Sequence, residues 1–133
     1  MNLNVLSKEK QSAEHRFELV HPVSGEPLGV FMSVVSAKSD KAQRFAEKQL
    51  RQEQLRELEN AKSRKPKFKG LGDMIAESRA MAIDRLTGWE NVEWNEKPLE
   101  FSDQNAELLL TECDWIVEQI FEHSNDLGKF FKS

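Results

Sequence analysis

The side chains in this chain that could do chemistry are three histidines, one cysteine and a set of carboxylates, and each must be weighed by its spacing. His15, His21 and His123 are far apart in sequence, and a Cys113/His123 pair has neither zinc spacing nor a further ligand motif beside it. Cys113 falls on the apolar side of a helical pattern, where a thiol packs as a small hydrophobe rather than acting as a nucleophile. Glu107, Glu112, Glu118 and Glu122 lie on the polar faces of the same pattern, the ordinary place for solvated carboxylates. There is no phosphate-binding glycine loop, no nucleophile elbow and no His-Glu-x-x-His. These absences point away from an enzyme, and no metal or other cofactor is expected.

Two further stretches could make contacts rather than catalyse. The first, KSRKPKFKG, places Lys62, Arg64, Lys65, Lys67 and Lys69 within eight residues. Clustered cations release counterions from nucleic acid phosphates. Pro66 and the single Phe68 fit a basic linker between two helices better, because single-strand stacking needs more interleaved aromatics. Nucleic acid is therefore not the expected partner. The second, GWENVEWNEKPLEF, gathers Trp89, Trp94, Leu99 and Phe101 around a turn. Two readings stay open for these residues together with Trp115: a hydrophobic plug that fixes a loop, or a docking surface for an apolar segment of another protein.

The elements that must position these residues follow from pattern. A chain of 133 residues has room for one modest core, and a hydrophobic content of 38% beside 32% charged residues leaves part of it free to lie outside that core. The lone cysteine excludes an intrachain disulfide. The start MNLNVLSKEK lacks a signal-peptide apolar region, so the expected compartment is reducing cytoplasm. No run approaches the roughly 18 apolar residues of a membrane span, so no membrane partner is expected. Residues 1 to 88 carry 16 Lys+Arg against 12 Asp+Glu, a balance of +4, whereas residues 89 to 133 carry 3 against 11, a balance of −8. Halves of opposite sign attract, within one molecule or head to tail between copies.

Pro22, Ser24, Gly25 and Pro27 separate two Val/Phe/Leu-rich runs and predict a β-hairpin over residues 15 to 36, with Phe17, Leu19 and His21 on one face. A long helix is expected over 41 to 62, capped by Asp40 with Gln43 at the third helical position. Its apolar residues are sparse. Either Phe45, Leu50, Leu55 and Leu58 are buried by a neighbouring subunit, or the helix is solvated and laced with pairs such as Glu53 with Arg56. Leu71, Met74, Ile75, Ser78, Met81, Ala82 and Leu86 follow helical spacing and predict the main core helix, which Gly88 ends. A structured loop should join it to a helix begun by Ser102 and carrying Ala106, Leu109, Leu110, Cys113, Ile116, Val117 and Ile120. The Thr111-x-x-Asp114 signal can restart that helix before Trp115. The expected architecture is α+β and mainly α-helical. It has three regions: an N-terminal β-hairpin region (1–38), a long projecting charged helix with a basic linker (39–69), and a C-terminal helical domain with an aromatic loop (70–133).

These motifs, in this order, resemble the tail assembly chaperones of long-tailed bacteriophages and prophages. The resemblance is carried by Gly88-Trp89, Val92, Pro98-Leu99, Phe101-Ser102, Asn105-Ala106, Trp115 and a late Phe130 or Phe131, preceded by the hairpin HPVSGEPLGV, and spans about residues 15 to 131. One departure is the turn, where the family usually carries Asp-Gly or Asn-Gly and this chain has Asn95-Glu96. The resemblance implies a largely helical, self-associating protein of the host bacterial cytoplasm that binds the tape measure protein, keeps it soluble and assists tail-tube polymerisation, with the tail tube protein as a further partner. It also implies a longer frameshifted form, for which codons at Gly128-Lys129 or Phe130-Phe131-Lys132 are the candidates. The alternatives are a structural head or tail component and a small DNA-binding regulator using residues 62–69.

Overall fold

The structure, a computed structural model, describes residues 1–131; Lys132, the end of the Phe130-Phe131-Lys132 stretch, lies outside them. The expected hairpin forms from β1 (His15–Val20) and β2 (Pro27–Val34), paired antiparallel with Phe17 opposite Met32. Its turn works because Gly25 takes φ +75, a left-handed conformation that costs glycine little. His21 does not join the buried face. It is exposed, and its Nδ1 accepts the backbone N–H groups of Val23 and Ser24 at 3.1 and 3.2 Å, so the ring shapes the turn.

The hairpin is not alone, and Gly88 does not end a helix into a loop. Helix α2 (Leu71–Arg85) passes directly into β3 (Leu86–Glu90), which pairs antiparallel with β2, placing Trp89 opposite Met32 and Gly88 opposite Ser33. A hairpin that is marginal by itself thereby becomes a three-stranded sheet, with β2 in the middle. Phe17, Leu19, Met32, Val34 and Leu86 are buried on one face. The other face is solvated, with Arg16 paired to Glu90 at 2.9 Å and its guanidinium 3.9 Å from the centre of the Phe31 ring.

After β3 the chain makes a second, smaller hairpin, β4 (Glu93–Trp94) and β5 (Lys97–Pro98). Asn95 and Glu96 adopt φ 53 and 65, the two positive values of a type I′ turn, so the tight geometry is kept without glycine. Ser102 caps α3 (Asp103–Glu112), its Oγ accepting the Asn105 N–H. The predicted helix from Ser102 divides at Cys113 and resumes as α4 (Trp115–Ser124), as the Thr-x-x-Asp signal allows. α4 packs on β1 and β2, and α2 packs on α3 and α4. The core between sheet and helices is closed by Ala82, Ala106, Leu109, Leu110, Ile116, Ile120 and Phe130. Architecture is thus α+β and mainly helical.

Helix α1 (Asp40–Lys62) stands largely outside this body, roughly 34 Å long at 1.5 Å per residue, and packs chiefly on α2. Its N-cap is Ser39 rather than Asp40: Ser39 is extended and its Oγ accepts the Ala42 N–H at 3.2 Å. Asp40 sits in the first turn instead, where its carboxylate favours the helix dipole. The expected Glu53 to Arg56 pairing is not the one that forms. Glu53 pairs with Lys69, which also holds Glu77 at 2.9 Å and so ties α1 to α2 across the connector.

Candidate functional site

Helix α2 was expected to be the main core helix, and only its C-terminal half is. Ala82 is fully buried and Leu86 nearly so, yet on the same stripe Ile75, Met74 and Leu71 are 49%, 57% and 74% exposed. Ile75 borders a notch with Leu110, Asp114 and Val117 where α3 and α4 meet, and Leu71 and Met74, earlier on α2, belong to no buried cluster, so an apolar face continuous with the core runs out into solvent.

The seam between α1 and α2 is mixed in character. It is lined by Gln49, Gln52, Glu53, Arg56, Lys69 and Glu77, with Phe45, Ala46, Leu50, Ala76 and Ala80 the main apolar contributions. One Arg56 guanidinium nitrogen is buried there and finds no hydrogen-bond partner among the described residues. Glu53's carboxyl is held below its usual range by the hydrogen bond from Lys69, whose own ammonium is raised by the same contact. Leu55 and Leu58 lie outside that lining, 60% and 55% exposed, and Leu50 borders the seam while 55% exposed. Of the four residues expected at a subunit contact, Phe45 is thus half-buried in the seam, Leu50 sits at its edge, and Leu55 and Leu58 lie clear of it.

The five aromatic-loop candidates occupy a different place. Trp89, Trp94, Leu99, Phe101 and Trp115 are all half-buried and packed against the core. Trp89 donates its indole N–H to the Leu99 carbonyl at 2.7 Å and meets Phe101 edge to face at 5.1 Å. Leu99 N–H in turn donates to Val92 O, so the small hairpin folds back onto β3. A shallow cleft remains between them, bordered by Val92, Pro98, Leu99 and the carboxylates of Glu93 and Glu100. Trp89, Leu99 and Phe101 border that cleft, whereas Trp94 and Trp115 pack against the core elsewhere.

Two clusters were missed at sequence level. His15 and His123, separated by 108 residues, lie in contact, with His15 Nε2 3.2 Å from His123 Nδ1. His123 stacks on Phe17 at 4.0 Å, and His15 meets Phe130 edge-on. Burial, then Lys129, holds His15 below its ordinary pKa; burial, then His15 itself, does the same to His123. Among the described residues no group of three or more His, Cys, Asp or Glu could hold a metal ion. The second cluster joins Arg85, Ser124 and Val35. Arg85 Nη1 donates to Ser124 Oγ at 2.9 Å and to Asn125 Oδ1 at 3.1 Å, and Ser124 Oγ donates to Val35 O at 2.7 Å. No local signal could have found either, because both unite the ends of distant elements.

Cys113 sits at the α3–α4 corner, half-buried, with its thiol pushed up by burial and then by Glu112 and Asp114. A raised thiol pKa means little thiolate and low reactivity. Among the described residues no helix is long and apolar enough to cross a membrane. No protein-family model, curated protein or solved structure matches this chain.

Proposed function

We propose that this chain is a non-catalytic binding protein that covers apolar helical surface on a longer client, in the manner of the tail assembly chaperones its sequence resembles. The client would be the tape measure protein, kept soluble in the host cytoplasm until tail-tube subunits replace the chaperone. The observation that carries the reading is the uncovered apolar stripe of α2, where Leu71, Met74 and Ile75 are left facing solvent beside a charged α1–α2 seam. An amphipathic client helix laid on that stripe extends the core by one more helix.

The magnitudes favour weak, repeated contact. Fully burying a large apolar side chain from an exposed state gives about 1.5–3 kcal/mol, so covering the free fractions of these three supplies about 3–5 kcal/mol in all. Association costs at least about 4 kcal/mol in lost freedom, so one site alone binds poorly. Many copies along one long client bind well together and leave readily when a polymer offers a larger contact.

The test is co-expression with the long helical protein encoded just downstream. That protein is expected to remain soluble with this chain and to precipitate without it, and a Leu71→Ser/Met74→Ser/Ile75→Ser variant should lose the protection. Precipitation in both cases removes the chaperone reading. Presence of this chain in purified virions would instead favour a structural component.

A further inference from the structure

The cleft beside the small hairpin has a volume of about 380 Å³. Trp89 and Phe101 border it with their rings nearly perpendicular, at 85° and 5.1 Å between centres. Val92, Pro98 and Leu99 add aliphatic surface. Glu93 on β4 and Glu100, which follows β5, bring carboxylates to it from two separate segments.

What this lining offers a ligand is one-sided. Its two side-chain nitrogens already donate to the backbone: the Trp89 indole to Leu99 O at 2.7 Å and the Asn91 amide to Gly29 O at 3.3 Å. Among the described residues no lysine, arginine or histidine borders the cleft. Lys97, the one cation of the small hairpin, pairs across it with Trp94, whereas Glu93 pairs with Pro98. Side chains alternate along a strand, so these two pairs lie on opposite faces, and it is Glu93 and Pro98 that border the cleft. Neighbouring Glu90 is already answered by Arg16, but Glu93 and Glu100 form no ion pair among the described residues. The cleft therefore presents carboxylates, aromatic rings and aliphatic surface, and disfavours anions. Its complement is a cation with an aliphatic stem. One ammonium group answers one carboxylate; two answer both.

We infer that this cleft binds a free aliphatic diamine or polyamine, with its alkyl stem against Val92, Leu99 and the Trp89/Phe101 pair and its ammonium groups at Glu93 and Glu100. The site is distinct from the exposed α2 stripe on which the client reading rests, and it needs no client. Both carboxylates are exposed, so each ion pair is modest and salt-screened, and selectivity comes from satisfying two charges and the apolar floor together.

The experiment is a titration of the full-length protein alone with putrescine, followed by proton–nitrogen correlation spectra at low ionic strength. The Trp89 indole N–H signal, identified by its absence in Trp89→Phe, should shift saturably, and butylamine should bind several-fold more weakly. Glu93→Gln/Glu100→Gln should weaken putrescine binding by about fivefold or more, and Phe101→Leu by about twofold or more. Glu112→Gln/Glu118→Gln, an equal charge change at exposed positions outside the cleft, should leave it unaltered. Shifts that never saturate, or that weaken equally in that control, mean general attraction to the acidic half and overturn the inference. Butylamine binding as tightly as putrescine overturns the two-carboxylate contact. A dilysine peptide that binds more tightly than putrescine or spermidine makes the occupant a protein segment and overturns the assignment to a free amine.

Discussion

Replacing Ser124 by alanine should be among the most damaging one-atom changes available in this protein. Ser124 is 1% exposed, and its hydroxyl both donates to Val35 O and accepts from Arg85 Nη1, joining the ends of α4, β2 and α2. Alanine removes both bonds without leaving room for much else. A buried carbonyl losing its donor costs about 1–3 kcal/mol, and a hydrogen bond to a charged group is worth about 1.5–3 kcal/mol. Asn125 Oδ1 keeps hold of the same guanidinium nitrogen, so the second figure is only partly lost. The expected destabilisation is about 2–4 kcal/mol, a large share of the roughly 5–15 kcal/mol that such domains possess. Equilibrium urea unfolding followed by tryptophan emission measures it, with a lowered midpoint at unchanged slope. An Arg85→Met/Ser124→Ala double variant should be less destabilised than the two single changes added together, because the charge is removed with its partner. A Ser124→Ala loss below about 0.5 kcal/mol, the range of ordinary surface substitutions, would refute the reasoning.

Trp89→Phe removes the indole N–H bond to Leu99 O while keeping an aromatic ring beside Phe101; it should cost about 1–2 kcal/mol by thermal unfolding and leave client protection unchanged, whereas unchanged stability with lost protection would make the loop a docking surface. Glu96 holds φ 65 in the small hairpin, so Glu96→Gly should raise stability by about 1 kcal/mol, and a loss would mean that the turn is not type I′. His15 and His123 both have lowered folded-state pKa values, so below the ordinary 6.5 the unfolded chain binds more protons and stability falls as pH drops toward the depressed values. Urea midpoints between pH 7 and pH 5 should therefore decline, and less steeply in His15→Gln; an equal slope in that variant would refute the assignment.

The boundaries of α1, the start of α3, the first hairpin and the late restart at Trp115 were legible because each is written locally. Helical spacing of Ala106, Leu109, Leu110, Ile116 and Ile120, a serine able to reach back to a free N–H, and Gly25 in a turn need only a few neighbours to take effect. The cap of α1 was misplaced by one residue because Ser39 and Asp40 can both cap, and backbone conformation chooses between them.

What the sequence by itself determined was the inventory of amphipathic segments, the α+β class and the opposition of a basic half to an acidic one. Tertiary structure alone decided how far each apolar face is used. Helical spacing marks Leu71, Met74 and Ile75 as equivalent to Ala82, but exposure depends on where α3 and α4 end, which no window along the chain contains. The same holds for β3, which becomes a strand by pairing with a β2 more than fifty residues earlier, and for His15 beside His123. Periodicity records which side of an element is apolar; only the packed chain fixes whether anything lies against it.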